Sequence, residues 1–197
     1  PRSTLFPYTT LFRSTSARTH VVHLSAAGAL DLLTRAKETD LPFTAETTPH
    51  YLKLEAEAIP DGATAFKCAP PIREHENRER LWKGLREGLV DLVVTDHSPC
   101  TPELKKLEMG SFEDAWGGIA SLQLGLAVVW TEARKRGVGV LEIARWMSEA
   151  PAKRAGLPHK GRIAPGSDAD FVVWRPEAAF TVKKESILHN NKVTPYE

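Results

Sequence analysis

Cysteine is scarce: Cys68 and Cys100 are the two present in 197 residues. That is too few for the multi-bridge framework of a small secreted domain, so a reduced, cytoplasmic setting is the default. Neither sign of charge dominates, since 26 Lys and Arg against 25 Asp and Glu leave a net charge of +1. The chain thus lacks the electrostatic footprint of a partner for nucleic acid or an anionic membrane. Long apolar runs are missing too. The longest, at positions 124–130, falls far short of the ~20 residues that cross a bilayer. No internal repeat and no low-complexity linker occurs, which argues against a solenoid or a string of modules.

What is present is ordinary for a globular protein: 42% hydrophobic and 26% charged residues. The length suits one domain but is below the ~250 residues of a full α/β barrel. Residues 1–18 (PRSTLFPYTTLFRSTSAR) stand apart. They have no initiator Met, no sustained apolar core and no helical or strand period, and they do not fit a secretory signal. The expectation is foreign sequence, such as translated adapter or vector, joined to a truncated gene and set aside from fold reasoning.

The chain is organised around residues 93–100 (VVTDHSPC). Leu92, Val93 and Val94 form a short apolar run of the kind buried in a parallel sheet. Directly behind it stand a carboxylate (Asp96), an imidazole (His97), a hydroxyl (Ser98) and a thiol (Cys100), with Pro99 blocking continuation. Chemistry in α/β barrels sits where strands end. An acid at that point can bind a metal or carry a proton, although Asp also caps turns and helices there.

Two upstream sites repeat the arrangement. Residues 20–24 (HVVHL) read as a strand in which His20 and His23 face opposite sides, and His23 lies nearer the C-terminal end. A helix is expected over residues 27–38. Residues 42–48 (PFTAETT) read as the next strand, ending at Pro49-His50-Tyr51. A lone histidine at such a place is commonly a satisfied structural residue. Two at successive strand ends favour ligation, because imidazole is the commonest metal ligand. Residues 63–68 read as a third strand closed by Pro70 and Pro71, and residues 73–88 as a charged helix with Leu81, Trp82 and Leu85 inward. Beyond Asp96, an apolar helix is expected over residues 117–136 (Ile119, Leu122, Leu126, Val129, Trp130). Another over 141–147 should break before Pro151, and a strand should cover 170–174. Strand and helix alternate as in a parallel sheet, so the fold class is α/β.

HVVHLS (20–25), ETTPHYL (46–52), KCAPPIR (67–73) and VTDHSPC (94–100), in this order and spacing, resemble the second half of a cyclic amidohydrolase. The family includes allantoinases, dihydroorotases, and hydantoinases with dihydropyrimidinases. AWGGI (115–119) and HNNKVTPY (189–196) bring the likeness nearest to allantoinases; dihydroorotases usually carry DHAPH, with a histidine where this chain has Cys100.

The resemblance implies the C-terminal half of a (β/α)8 TIM-type barrel over residues 19–157 and the start of a small β-sandwich over 158–197. It implies two divalent metal ions, zinc in the first instance. His23 and His50 would hold one ion; Asp96 would hold the other and act as the proton shuttle. Backbone near Cys68, Ala69 and Gly117, with Cys100, would hold the substrate. The family's first-strand His-x-His pair and its carboxylated bridging lysine are not in this chain. The implied reaction is hydrolysis of a cyclic amide, allantoin to allantoate in purine catabolism, by a cytoplasmic homo-oligomer, a tetramer when full length. The fragment by itself is expected to be inactive. Dihydroorotase and dihydropyrimidinase or hydantoinase activities are the alternatives within the class. A non-catalytic dihydropyrimidinase-related scaffold is the alternative outside it. The two thiols, 32 positions apart without a C-x-x-C partner, are weak as zinc ligands.

Overall fold

Three short strands rich in β-branched residues set the frame: β1 (Thr19–Val21), β2 (Phe43–Thr47) and β3 (Leu92–Val93). In the computed structural model, which describes residues 15–197, they pair in parallel in the order β1-β2-β3. Thr19 lies opposite Phe43 and Val21 opposite Ala45; Glu46 lies opposite Leu92 and Thr47 opposite Val93. The ladder runs on past the strand ends. Leu24 donates to the Glu46 carbonyl at 2.8 Å and Val94 to the Thr47 carbonyl at 3.0 Å.

Parallel neighbours need crossovers, and helices supply them. A 3₁₀ turn (Ala27–Ala29) leads into α1 (Leu30–Glu38) between β1 and β2. Between β2 and β3 come α2 (Pro49–Lys53) and α3 (His75–Arg86). After β3 follow α4 (Pro102–Lys105), α5 (Gly125–Lys135), α6 (Val140–Ala144), a π-turn (Arg145–Glu149) and α7 (Ala150–Ala155).

Alternation along β1 and β2 turns Val21, Phe43 and Ala45 toward the helices, where they join Leu30, Leu33, Leu81, Trp82, Leu85, Val129 and Trp146 in one core. Trp82 anchors it: its indole N–H donates to the Leu52 carbonyl at 2.9 Å, and the Arg136 guanidinium lies 4.9 Å from its ring centroid. The stripe expected for the charged helix is thus buried, and Gly88 takes φ +71° just past its end. The other sheet face carries His20, Thr44 and Glu46. His20 places Nδ1 2.7 Å from Thr44 Oγ1 and Nε2 2.7 Å from Glu46 Oε2.

Four expectations need correction. Residues 63–68 are not a strand: Thr64–Phe66 is a 3₁₀ turn closed by local bonds (Phe66 to Ala63, Lys67 to Thr64), and β3 pairs directly with β2. The helix expected from residue 117 begins at Gly125, because the preceding amides bond elsewhere. Gly118 donates to the Lys67 carbonyl, and Ser121 and Leu122 donate to the His97 ring. Leu122 is consequently 64% exposed. The helix expected to break before Pro151 instead runs on into α7. The wider π-turn ahead of it accommodates the proline, which sits in the first turn of α7. Residues 170–174 form no strand. Phe171, Val172 and Val173 are exposed, and no neighbouring strand among the described residues pairs with them. The first fourteen residues of the segment read as foreign lie outside the described residues. Among those described, no helix is long and apolar enough to cross a membrane.

Candidate active site

Each strand is followed, within three residues, by a side chain singled out from the sequence: β1 by His23, β2 by His50 and β3 by Asp96. Since the strands are parallel neighbours, all three residues issue from the same edge of the sheet. His23 and Asp96 take φ of +38° and +45°. Residues other than glycine rarely occupy this region, and strain of that kind collects at functional sites. It ends each strand abruptly and turns the side chain out of the pleat, so His23 is not governed by the alternation that places His20.

His50 is 0% exposed, and neither ring nitrogen has a hydrogen-bond partner. Burial, then the nearby charges of His23 and Lys105, holds its pKa down to about 3, so the ring is neutral at physiological pH. A neutral imidazole is the form that binds metal. The Tyr51 ring meets it edge-on, 4.4 Å between centroids. His23 Nδ1 is likewise buried without a partner. Asp96 is half-buried, and no hydrogen bond or ion pair to its carboxylate is found among the described residues. Burial raises the pKa of Tyr51, and the charges of Cys68 and Asp96 add to it.

Buried polar atoms are nearly always paired, so three orphaned ring nitrogens together call for a ligand. Two imidazoles and a separate carboxylate are a borderline-to-hard donor set suited to divalent ions. The residues fit such ions as part of a larger set. Among the described residues, no group of three or more His, Cys, Asp or Glu stands ready to hold a metal by itself.

Beside them lie the segments expected to hold substrate. A Cβ on Gly117 would come within 3.3 Å of Ala69 Cβ and 3.7 Å of the Cys68 carbonyl carbon, so the two segments touch. Gly118 donates to the Lys67 carbonyl at 3.1 Å. Cys68 and Cys100 are free and buried. Burial pushes the Cys68 thiol up to about 11 and raises that of Cys100, so neither is a thiolate at neutral pH. His97 faces elsewhere. Its Nδ1 accepts from Ser121 and Leu122 at 3.1 and 3.0 Å, and its ring stands 5.3 Å from that of His189.

Sequence reasoning missed Lys105. It is 2% exposed, and its ammonium donates to the carbonyls of Lys67 (2.7 Å), Trp116 (3.0 Å) and Gly118. In the sequence it is one of two adjacent lysines in a charged stretch, with nothing to mark it as the buried one.

The model of the family described as "Amidohydrolase family" matches residues 8–191. Among curated proteins, the allantoinase of Streptomyces avermitilis is 51% identical over 181 residues, covering 92% of this chain and 40% of its own length. The allantoinase of Saccharomyces cerevisiae is 48% identical over 178 residues, covering 90% of this chain and 38% of its own. Among solved structures, a D-hydantoinase (dihydropyrimidinase) from Thermus sp. superposes with a TM-score of 0.86 at 34% identity. It covers 96% of this chain and 43% of its own. The chain therefore spans about two fifths of the length of these relatives. The α/β arrangement and these neighbours imply the TIM-barrel amidohydrolase fold. With 184 of 197 residues matched, the chain belongs to the amidohydrolase family.

Proposed function

We propose that this chain supplies the C-terminal half of a metal-dependent cyclic amidase that opens allantoin to allantoate. One observation carries the reading. Three ring nitrogens of His23 and His50 are buried without partners, and the half-buried carboxylate of Asp96 has no partner among the described residues; the three side chains follow three adjacent parallel strands. The names of the relatives point to allantoin, and Cys100, where dihydroorotases have a histidine, agrees. A scaffold without a metal site leaves the orphaned nitrogens of the fully buried His50 unexplained.

In this reading residues 19–157 form the second half of the barrel and residues 158–197 begin the β-sandwich. An upstream half adds the His-x-His pair and bridging lysine. His23 and His50 hold one ion and Asp96 the other. Divalent ions there would supply a water of lowered pKa and polarise the ring carbonyl. The chain's own residues do the rest. Backbone groups of Cys68, Ala69 and Gly117 hold the amide edges of the ring and fix the carbonyl for attack. The Asp96 carboxylate takes the proton of the attacking water and returns it to the departing ring nitrogen, so the leaving group departs neutral. Burial of His50 keeps its ring neutral, with one nitrogen lone pair free for ligation, across the working pH range.

The full-length protein, loaded with zinc or a similar ion, should release allantoate from allantoin faster than it opens dihydroorotate or dihydrouracil. Faster turnover of either competitor would overturn the substrate assignment.

A further inference from the structure

Lys105 is a buried cation, and no carboxylate among the described residues pairs with it. An ammonium has three donors, and here all three converge on main-chain oxygens: Lys67 O, Trp116 O and Gly118 O. These carbonyls immediately precede Cys68 and flank Gly117. No hydrogen bond among the described residues uses the backbone of Cys68, Ala69 or Gly117, although the residues on either side are tied down. Ala69 is exposed and Gly117 half-exposed. Isolating a charge from water is costly unless its partners are well placed, and backbone carbonyls alone are a weak reason to keep a lysine inside. A neutral side chain would fill the space, but it could not gather carbonyls from two separate segments at one point.

We propose that Lys105 is a positioning residue: it clamps segment 67–69 against segment 116–118 and so presents the unpaired main-chain groups of Cys68, Ala69 and Gly117 to the amide edges of a cyclic ureide. The inference rests on the hydrolase reading and extends it to a residue whose three donors are all spent on main-chain carbonyls. Three further features agree. The Gly118 amide donates to the same Lys67 carbonyl, which ties the segments a second time. A Cβ on Gly117 would come 3.3 Å from Ala69 Cβ, tighter than ordinary van der Waals contact, so the two segments run close at that point. The helix that carries the lysine is held by Thr101, whose hydroxyl accepts from Leu104 N–H at 3.4 Å, and by Pro102 in its first turn.

The test uses the full-length, metal-loaded protein and two variants, Lys105→Met and Lys105→Arg. Hydantoin serves as the probe, since it presents the ring amide edges alone. Bound metal is counted, hydantoin affinity is measured by calorimetry, and kcat and KM are measured for allantoin. The expected result for Lys105→Met is an unchanged metal count, kcat within about threefold, and at least a tenfold loss of hydantoin affinity matched in KM. Arginine keeps the charge but its planar fork cannot meet three converging carbonyls, so Lys105→Arg should show a smaller loss in the same direction. It also decides the question if the methionine variant does not fold. Hydantoin affinity within twofold of the unsubstituted protein in a folded variant would overturn the proposal. So would metal loss in step with the loss of affinity, which marks a merely structural role. If the unsubstituted protein neither binds hydantoin nor opens allantoin, the hydrolase reading fails and this inference falls with it. If it does both while the variants behave like it, only the role of Lys105 fails.

Discussion

Glu132 on α5 offers a quantitative test of how the helical layer is held. Its carboxylate is buried, 3% exposed, and gathers three cations: Lys53 at 2.9 Å and Lys135 at 2.8 Å on Oε1, and Arg136 at 3.1 Å on Oε2. Burial alone would raise its pKa. The hydrogen bonds from Lys135, Lys53 and Arg136 outweigh that and bring it from 4.5 to about 2. A pKa lowered on folding stabilises the protein above the unfolded value, and that stability is lost as pH falls through the folded one. The window therefore runs from about 4.5 down to about 2. The difference of 2.5 between those values corresponds to roughly 3 kcal/mol at ~1.36 kcal/mol each. Lys53 and Lys135 are partly exposed, and solvent screening reduces the figure to about 2 kcal/mol. Urea unfolding of the full-length protein and of Glu132→Gln, from about pH 7 down to about pH 3, reads the effect. The stability gap should be about 2 kcal/mol at neutral pH and fall by more than half at the acid end. A gap that does not change with pH, or none at neutrality, would refute the reasoning.

Asp96→Asn should abolish allantoate release while leaving the unfolding midpoint of the metal-free protein nearly unchanged, because its carboxylate has no partner to lose among the described residues. Retained turnover in that variant would remove the proton-carrying role. Gly118→Ala places a Cβ 2.7 Å from Ser98 Cβ and 2.8 Å from its carbonyl oxygen. Overpacking of this kind costs about 1–3 kcal/mol, so a folded variant with unaltered stability would show that the two segments are not in contact.

The sequence exposed those features that rest on local pattern. β-Branched runs ending in a polar residue placed His23, His50 and Asp96 at strand ends, and the spacing of Leu81, Trp82 and Leu85 placed the buried face of α3. Features that depend on distant partners were not readable. Residues 63–68 read as a strand, but β3 pairs directly with β2, no strand among the described residues pairs with them, and they close local turns instead. Residues 117–124 carry helical spacing, yet the amides of Gly118, Ser121 and Leu122 are taken by Lys67 and His97 from far along the chain. Residues 170–174 alternate as a strand should, but alternation describes a face without supplying something to pair with. Val173, at 95% exposure, shows the consequence. Lys105 was the most concealed of all, because a cation buried on backbone carbonyls leaves no trace in composition or period.

Crystals of the full-length protein grown with zinc, with anomalous diffraction collected at the zinc edge, give the most direct measurement. Two peaks are expected, one ~2.0–2.1 Å from ring nitrogens of both His23 and His50 and one ~2.0–2.2 Å from an Asp96 oxygen. Anomalous density elsewhere, with these three side chains uncoordinated, would contradict a metal centre at the ends of β1, β2 and β3.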